Sequence, residues 1–302
     1  MKKKDFLTLR DLSLKEIDHI LERAAEFKSG IDVAKCPLIG KSIGLLFEKA
    51  STRTRVSLEV GVYQLGAKAI YMNPKEIQIG RGETIHDTAK VLSRYLDAVV
   101  IRTYSHATLS EFASHSSIPV VNGLSDSHHP CQALGDLMTI AEKKGRLKGI
   151  RLAYIGDGNN VANSLVEAAS MTGINLVLAC PEGYEPDHDI FDKARASAKS
   201  DISIVKDPEE AVNGADAVYT DVWVSMGQEK EAVEKKRKLS KYQLNGKLLS
   251  HARKNAIVLH CLPAHRGEEI TGEVIDGPQS VVFDQAENRL HTQKALLEFL
   301  LT

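Results

Sequence analysis

The chain is 302 residues long, which at roughly 150 residues per domain suggests two domains. Hydrophobic residues make up 43% and charged residues 26%, values that exclude a disordered tail, a collagen-like repeat and a coiled coil. Lysine plus arginine number 39 and aspartate plus glutamate 40, for a net charge of −1. No global field is available to hold nucleic acid or an anionic membrane, so any anion site must be built locally. Four cysteines, Cys36, Cys131, Cys180 and Cys261, are widely spaced with no CxxC pair. They are too sparse for a disulfide scaffold and fit a reducing, cytoplasmic setting. The basic start, Met1 to Lys4, is not followed by the apolar run of a secretory signal. No stretch approaches the length of a membrane-spanning helix.

Taken in chain order, short β-branched runs alternate with polar loops and amphipathic segments. Strands are expected at 42–47, 98–102, 119–121, 151–155, 176–179, 202–205, 217–220, 256–260 and 281–283. A helix follows Ser51, with Val56, Val60 and Tyr63 at helical spacing, and another runs from about 84 to 95. The alternation predicts an α/β fold of two doubly wound domains with mostly parallel sheets. The charged, glycine-bearing stretch 142–149 marks a boundary, giving domains at 1–145 and 146–285. A final helix, 286–302, carries Leu290, Leu297 and Leu301 on one face and is expected to pack back onto the first domain. The charged segment 225–249 has little apolar period and reads as either a solvated helix or a lid.

In open parallel sheets, ligands bind beyond the carboxyl ends of the strands. Here those ends carry Glu48 to Arg55, Arg102, Asn122 to Gln132, Gly156 to Asn160, Asp221 to Gly227, and His260 to Pro263. Clustering at six strand ends suggests one composite site in the cleft between two domains. Ser51 is a natural N-cap, and a helix start offers free N–H groups and a positive dipole end to a phosphate. Hydroxyls and the Arg53 guanidinium add donors, whereas Arg55 suits a nearby ion pair. The plainer reading is a capped helix with exposed arginines. Arg102 could serve an oxyanion or a rim salt bridge. His129 could donate to a carbonyl or simply sit in a loop, and Gln132 could be a helix-start hydrogen bonder. Asp221 could hold an amine or stabilise a turn.

The Gly156-Asp157-Gly158 turn invites a dinucleotide, but the third glycine of that fingerprint falls at Val161. The acidic residue expected about 20 residues on is replaced by Cys180. Cys261 with His260 and His265 could suggest a metal. Adjacent strand-end residues are expected to point apart, and no zinc-type spacing exists, so no metal is expected. A nucleophilic cysteine lacks a local signature.

These segments, in this order, resemble the aspartate/ornithine carbamoyltransferase family. Ser51-Thr52-Arg53-Thr54-Arg55 looks like its carbamoyl phosphate signature, and His129-Pro130-Cys131-Gln132 like its HPxQ segment. Asp221 through Ser225-Met226-Gly227 resembles the second-substrate loop, DxxxSMG. His260-Cys261-Leu262-Pro263 resembles the HCLP segment of the ornithine branch. The similarity spans essentially the whole chain. The aspartate branch carries an HPGP-type segment and lacks SMG. Cys131 occupies the variable HPxQ position and is read as packing.

The resemblance implies transfer of the carbamoyl group of carbamoyl phosphate to the δ-amine of L-ornithine, giving L-citrulline and phosphate, with arginine biosynthesis favoured. By that resemblance Ser51, Thr52, Arg53 and Thr54 hold the phosphate. Arg102, His129 and Thr54 polarise the carbamoyl oxygen, Gln132 holds its amide, and Arg289 helps bind the group. Gln78 would reach a neighbouring subunit's site in a homotrimer. Asp221, Cys261 and Leu262 would surround the amine, while Asn160, Ser225 and Met226 would hold the α-amino and α-carboxylate groups. No cofactor, metal, nucleic acid or membrane is implied. Three rival readings remain at this level. One is a carbamoyltransferase for putrescine or aspartate, one a nucleotide-binding oxidoreductase, and one a non-catalytic protein that keeps the phosphate cradle.

Overall fold

In a computed structural model of the chain, residues 3–31, 36–75, 82–224 and 232–302 are described. The chain divides into two units, one of residues 1–138 and 287–302, the other of residues 139–286. Each is built on one sheet whose strand pairs are all parallel among the described residues.

The first unit holds a four-stranded sheet of β1 (Ser42–Phe47), β2 (Lys68–Met72), β3 (Ala98–Arg102) and β4 (Val120–Leu124), in the order β2-β1-β3-β4. The central strands are apolar on both faces, as strands covered by helices on either side must be, and every residue of β3 is buried. Around the sheet lie α1 (Leu14–Lys28), α2 (Thr52–Gln64), α3 (Ile85–Leu92), α4 (His106–His115) and the start of α5 (Pro130–Lys144). Leu46, Val99, Ile101, Leu109, Phe112 and Val120 form a core cluster here.

The second unit holds five strands, β5 (Arg151–Ile155), β6 (Asn175–Ala179), β7 (Ile202–Val205), β8 (Ala217–Thr220) and β9 (Ile257–Leu259), in the order β7-β6-β5-β8-β9. Its helices are α6 (Asn160–Thr172), α7 (His188–Ser197), α8 (Pro208–Val212), α9 (Ala232–Leu239), α10 (Gly246–Leu249) and α11 (Gly272–Ile275). The final helix, α12 (Val282–Leu301), begins in the second unit, and its residues from Glu287 onward belong to the first.

Strand order places the switch point of each sheet at a definite pair, β1 and β3 in the first unit and β5 and β8 in the second. The crevice outside the carboxyl ends of such a pair is where open sheets bind ligands. The two-domain parallel α/β architecture is therefore as the sequence alternation implied.

Three local expectations need correction. The 281–283 run is not a strand: Val258 N–H donates to Gln279 O at 2.8 Å and Val281 N–H to Val258 O at 3.0 Å, but Gln285 N–H then donates to Val281 O at 2.9 Å, so a single bridge is made before the helix starts. Strand β2 was not expected, because its sequence KAIYM alternates weakly at a sheet edge. Helix α2 forms as expected, but Val56, Val60 and Tyr63 are exposed, by 51%, 38% and 80%. It buries Thr54, Leu58, Gly61 and Val62 instead. The reason is α12: a Cβ on Gly61 would lie 3.2–3.3 Å from Lys294 Cγ and Leu290 Cδ1, so glycine allows the two helices to approach. Of the 225–249 segment, residues 225–231 lie outside the described residues. The remainder forms α9, a 3-10 turn (Ser240–Tyr242) and α10, anchored by the buried Leu239, Tyr242 and Leu248.

Candidate active site

Two groups of polar residues gather at the two switch points, one in each unit. In the first unit, Ser51 caps α2 by accepting Thr54 N–H at 3.2 Å. The free N–H groups of that first turn are a ready anion site. Thr54 is buried, and its hydroxyl accepts a 2.7 Å hydrogen bond from Arg289 Nη2 of α12. Arg53 is half-buried, whereas Arg55 points outward, pairs with Glu59 at 2.9 Å and lies over the Tyr71 ring. The two arginines, two apart, thus take different faces, as a helix requires.

Arg102 ends β3 and is buried. His129 immediately precedes α5, where Pro130 at the first helical position needs no N–H partner. Burial pushes the His129 imidazole well below the ordinary histidine range, and the positive charges of Arg289 and Arg102 push it further. A neutral histidine flanked by two guanidinium groups can donate a hydrogen bond without adding charge of its own. Gln132 is buried, and its amide donates to Asp136 Oδ1 at 2.8 Å, which orients it. Cys131 is buried, its thiol contacts Asn122 O at 3.3 Å, and burial pushes it up to about 12, so it is packed and unreactive. Lys49 is a residue that sequence reasoning missed. It is buried over the Tyr104 ring, 4.3 Å from its centroid, and burial and Arg102 push its ammonium down. Its place between a strand end and the Ser51 cap was the available signal. Gln78 lies outside the described residues.

In the second unit, Asp221 follows β8 and is buried. One of its oxygens accepts the Asn159 amide at 2.7 Å, and the other the Cys261 thiol at 2.8 Å. Asn159 is the N-cap of α6: its Oδ1 accepts Val161 and Ala162 N–H at 2.9 and 3.3 Å. The helix start after the glycine turn is thus capped by the chain's own side chain. Gly158 has a different purpose, since a Cβ there would meet Pro186 N at 2.2 Å. Asn159, which the sequence reading did not single out, contacts Asp221, while Asn160, expected at the amino-acid end of the substrate, is half-buried at the first helical position. The N-cap pattern was the available signal.

The loop after β9 is unusual. Leu262 has φ 55°, in the region that disfavours a branched side chain. Its N–H donates to His260 Nδ1 at 2.9 Å. That leaves the ring proton on Nε2, which faces Glu269 Oε1 at 3.1 Å. Glu269 is fully buried and was not singled out from sequence. Burial opposes its charge, but hydrogen bonds from His260 and His265 N–H outweigh it and hold the carboxyl below the usual range. The expectation that His260 and Cys261 point apart does not hold: Asp221, His260 and Cys261 each offer a ligand-type atom within 4.8 Å of the others. Leu262 and Glu269 engage the two nitrogens of His260, while Asp221 and Cys261 bond to each other. Ser225 and Met226 lie outside the described residues.

The first unit thus presents a capped helix start with Arg102 and neutral His129 in the same sheet's loops, and the second a buried carboxylate paired with a thiol. Residues 4–142 match the family model for the carbamoyl-P binding domain of aspartate/ornithine carbamoyltransferase, and residues 148–300 match that for its Asp/Orn binding domain. The chain belongs to the aspartate/ornithine carbamoyltransferase family. Members of this family resemble it over nearly their whole length. The ornithine carbamoyltransferase of Syntrophus aciditrophicus is 54% identical over 99% of this chain and 100% of its own. That of Bacillus thuringiensis subsp. konkukian is 56% identical over 97% and 93%. The solved ornithine carbamoyltransferase of Pyrococcus furiosus superposes with a TM-score of 0.94 at 50% identity, covering 99% of this chain and 97% of that one. The anabolic enzyme of Campylobacter jejuni gives 0.93 at 41%, covering 98% of each. The chain is a carbamoyltransferase, and the relatives and solved structures named above place it with the ornithine type. Among the described residues, no helix is long and apolar enough to cross a membrane.

Proposed function

We propose that the chain transfers the carbamoyl group of carbamoyl phosphate to the δ-amine of L-ornithine, releasing L-citrulline and phosphate. The observation that carries this reading is Asp221, whose two oxygens are held by Asn159 and the Cys261 thiol. A buried carboxylate so oriented suits a side-chain amine, and it sits in a chain whose other unit carries an anion cradle.

In this reading Ser51, Thr52, Arg53 and Thr54 bind the phosphate and stabilise its departure through hydroxyls, helix N–H groups and a guanidinium. Arg102, His129, Arg289 and Gln132 hold the carbamoyl group. As the amine attacks, charge grows on the carbamoyl oxygen, and Arg102 with neutral His129 stabilises it as an oxyanion hole does. Asp221 and the Cys261–Leu262 turn orient the amine after it loses a proton, and Cys261 and Leu262 also bound the carbamoyl side. Asn160, Ser225 and Met226 hold the amino-acid end of ornithine. Catalysis is positioning plus electrostatics, with no covalent enzyme intermediate. An acyl phosphate is an activated donor, so equilibrium favours the ureido product, the biosynthetic direction, in the cytoplasm.

We also infer a homotrimer in which Gln78 reaches a neighbour's site. Support comes from the exposed Val56, Val60 and Tyr63 on one face of α2, an apolar stripe suited to burial against another copy. Light scattering of Tyr63→Glu should show smaller species; an unchanged trimer would place the interface elsewhere.

The deciding assay is citrulline formation from carbamoyl phosphate with L-ornithine, beside putrescine, N-acetylornithine and L-aspartate. Selective use of ornithine is expected. Selective use of another amine would overturn the second-substrate assignment, and no turnover would overturn the activity.

A further inference from the structure

The second unit contains an ion pair that the reaction scheme does not use. Lys235 Nζ lies 2.6 Å from Asp157 Oδ2, with side chains only 5% and 8% exposed. Helix α9 is otherwise a surface helix: Glu234, Lys236, Arg237 and Lys238 are all exposed, and Lys235 and Leu239 are its buried residues. Burying two charges is expensive and often no more stabilising than an apolar pair, so such a pair is weak evidence for stability and better evidence for a fixed geometry.

What the pair fixes is the turn after β5. Tyr184 O accepts Gly158 N–H at 2.8 Å, and the Tyr154 hydroxyl donates to Asp157 O at 2.7 Å. With the Pro186 backbone pressed against Gly158, the turn has no slack on that side. Two residues beyond Asp157, Asn159 caps α6 and donates to Asp221. A continuous path therefore runs from Lys235 through Asp157 and Asn159 to Asp221 and Cys261.

We propose that Lys235 and Asp157 are positioning residues for the amine half-site, their buried ion pair holding the turn so that Asn159 orients the Asp221 carboxylate. This inference rests on the assignment of Asp221 to ornithine. Without Lys235, the Asp157 carboxylate is buried and unpaired. It must then take up a proton or swing outward, and swinging outward carries Asn159 with it. Burial pushes the Asp157 carboxyl up to about 6, against the pull of Lys235 and with a further push from Asp221. The groups facing it are Lys235 from α9, Asp221 after β8, Cys180 just after β6 and Tyr154 from β5. As pH falls through about 6, Asp157 takes up a proton and the pair loses its charge.

The test is steady-state kinetics of the full-length wild type, Lys235→Met, Lys235→Arg and Asp157→Asn, with melting curves, on both sides of that pH. Lys235→Met should raise the KM for ornithine about tenfold or more, as loss of one partner of a buried pair does. It should leave the KM for carbamoyl phosphate near wild type, and Lys235→Arg should recover most of the loss. Wild-type ornithine KM should climb as pH falls through about 6. Asp157→Asn should flatten that climb, and because it keeps the side-chain shape it decides the matter should Lys235→Met not fold. A folded Lys235→Met with wild-type ornithine KM would overturn the inference. So would equal damage to both substrates with a lowered melting temperature, or an unchanged pH profile in Asp157→Asn. Failure of the wild type to use ornithine would instead sink the functional reading beneath it.

Discussion

Arg289 Nη2 donates to Thr54 Oγ1 at 2.7 Å, joining residues 235 positions apart in the chain. The final helix thereby supplies a cation to the N-terminal turn of α2, and Ser57 and Gln64 make parallel contacts to Gln293 and Lys294. Arg289→Ala should raise the KM for carbamoyl phosphate and lower stability by about 1–3 kcal/mol, the cost of stranding a buried hydroxyl. Denaturant unfolding and carbamoyl phosphate saturation curves check both. An unchanged KM would remove Arg289 from the carbamoyl half-site.

Arg53 and Arg102 answer different charges in the proposed reaction. Arg53→Ala weakens the hold on the phosphate, and Arg102→Ala weakens stabilisation of the developing oxyanion. Each should cost about 10²–10³ in kcat/KM, the magnitude of losing one preorganised donor. Near-normal turnover by either variant, measured as citrulline released, would mean that the site is misplaced.

Asp221 and Cys261 can be separated by chemistry. Cys261→Ser keeps a donor to Asp221 and should mainly raise the KM for ornithine. Asp221→Asn removes the charge and should raise it further. Binding of each substrate to the variants can be followed by calorimetry. If Cys261→Ser abolished turnover while both substrates still bound, covalent catalysis by the thiol would have to be reconsidered.

Glu269 links the HCLP turn to the fold's pH response. Its carboxyl is held below the ordinary value of 4.5 in the native state. In the unfolded chain it titrates near 4.5, so its contribution to stability is present above that pH and is lost as pH falls through the lower, native value. Glu269→Gln should therefore be less stable than wild type at neutral pH, with the deficit shrinking as pH falls below 4.5 through the lower, native value. Urea unfolding in a series of buffers reads this. A deficit independent of pH would assign the effect to shape alone.

Much of this was legible in the residues. Parallel strands covered on both faces must be continuously apolar, and runs such as 98–102 and 217–220 announced themselves for that reason. A strand's carboxyl end is where its ladder stops and its polar groups face outward, so Arg102, Asp221 and Cys261 could be named as candidates from the residues alone, with His129 in the loop that follows β4. The helix N-cap was equally plain at Ser51, because a hydroxyl before an amphipathic run has a local hydrogen bond to make.

Other features were decided only by tertiary packing. An edge strand such as β2 is half-exposed, so nothing forces its pattern to be apolar. The buried face of α2 depends on Gly61 and on a helix more than 200 residues later in the chain, whose inward residues include Arg289, Gln293 and Lys294. Periodicity assumes that the inward face is the greasy one, and here Leu58 and Val62 share it with Thr54 and the polar residues of α12. The same holds for Asn159 over Asp221, His260 over Glu269 and Lys235 over Asp157. Two of these join elements more than 60 positions apart and the third spans nine, and a polar residue carries no local mark of the partner it will meet. By itself, the sequence determined the layers, the strand ends and the residue types available for chemistry. The tertiary structure decided which of those polar groups hold one another in place, because hydrogen bonds and ion pairs depend on distances that only the assembled sheets and helices set.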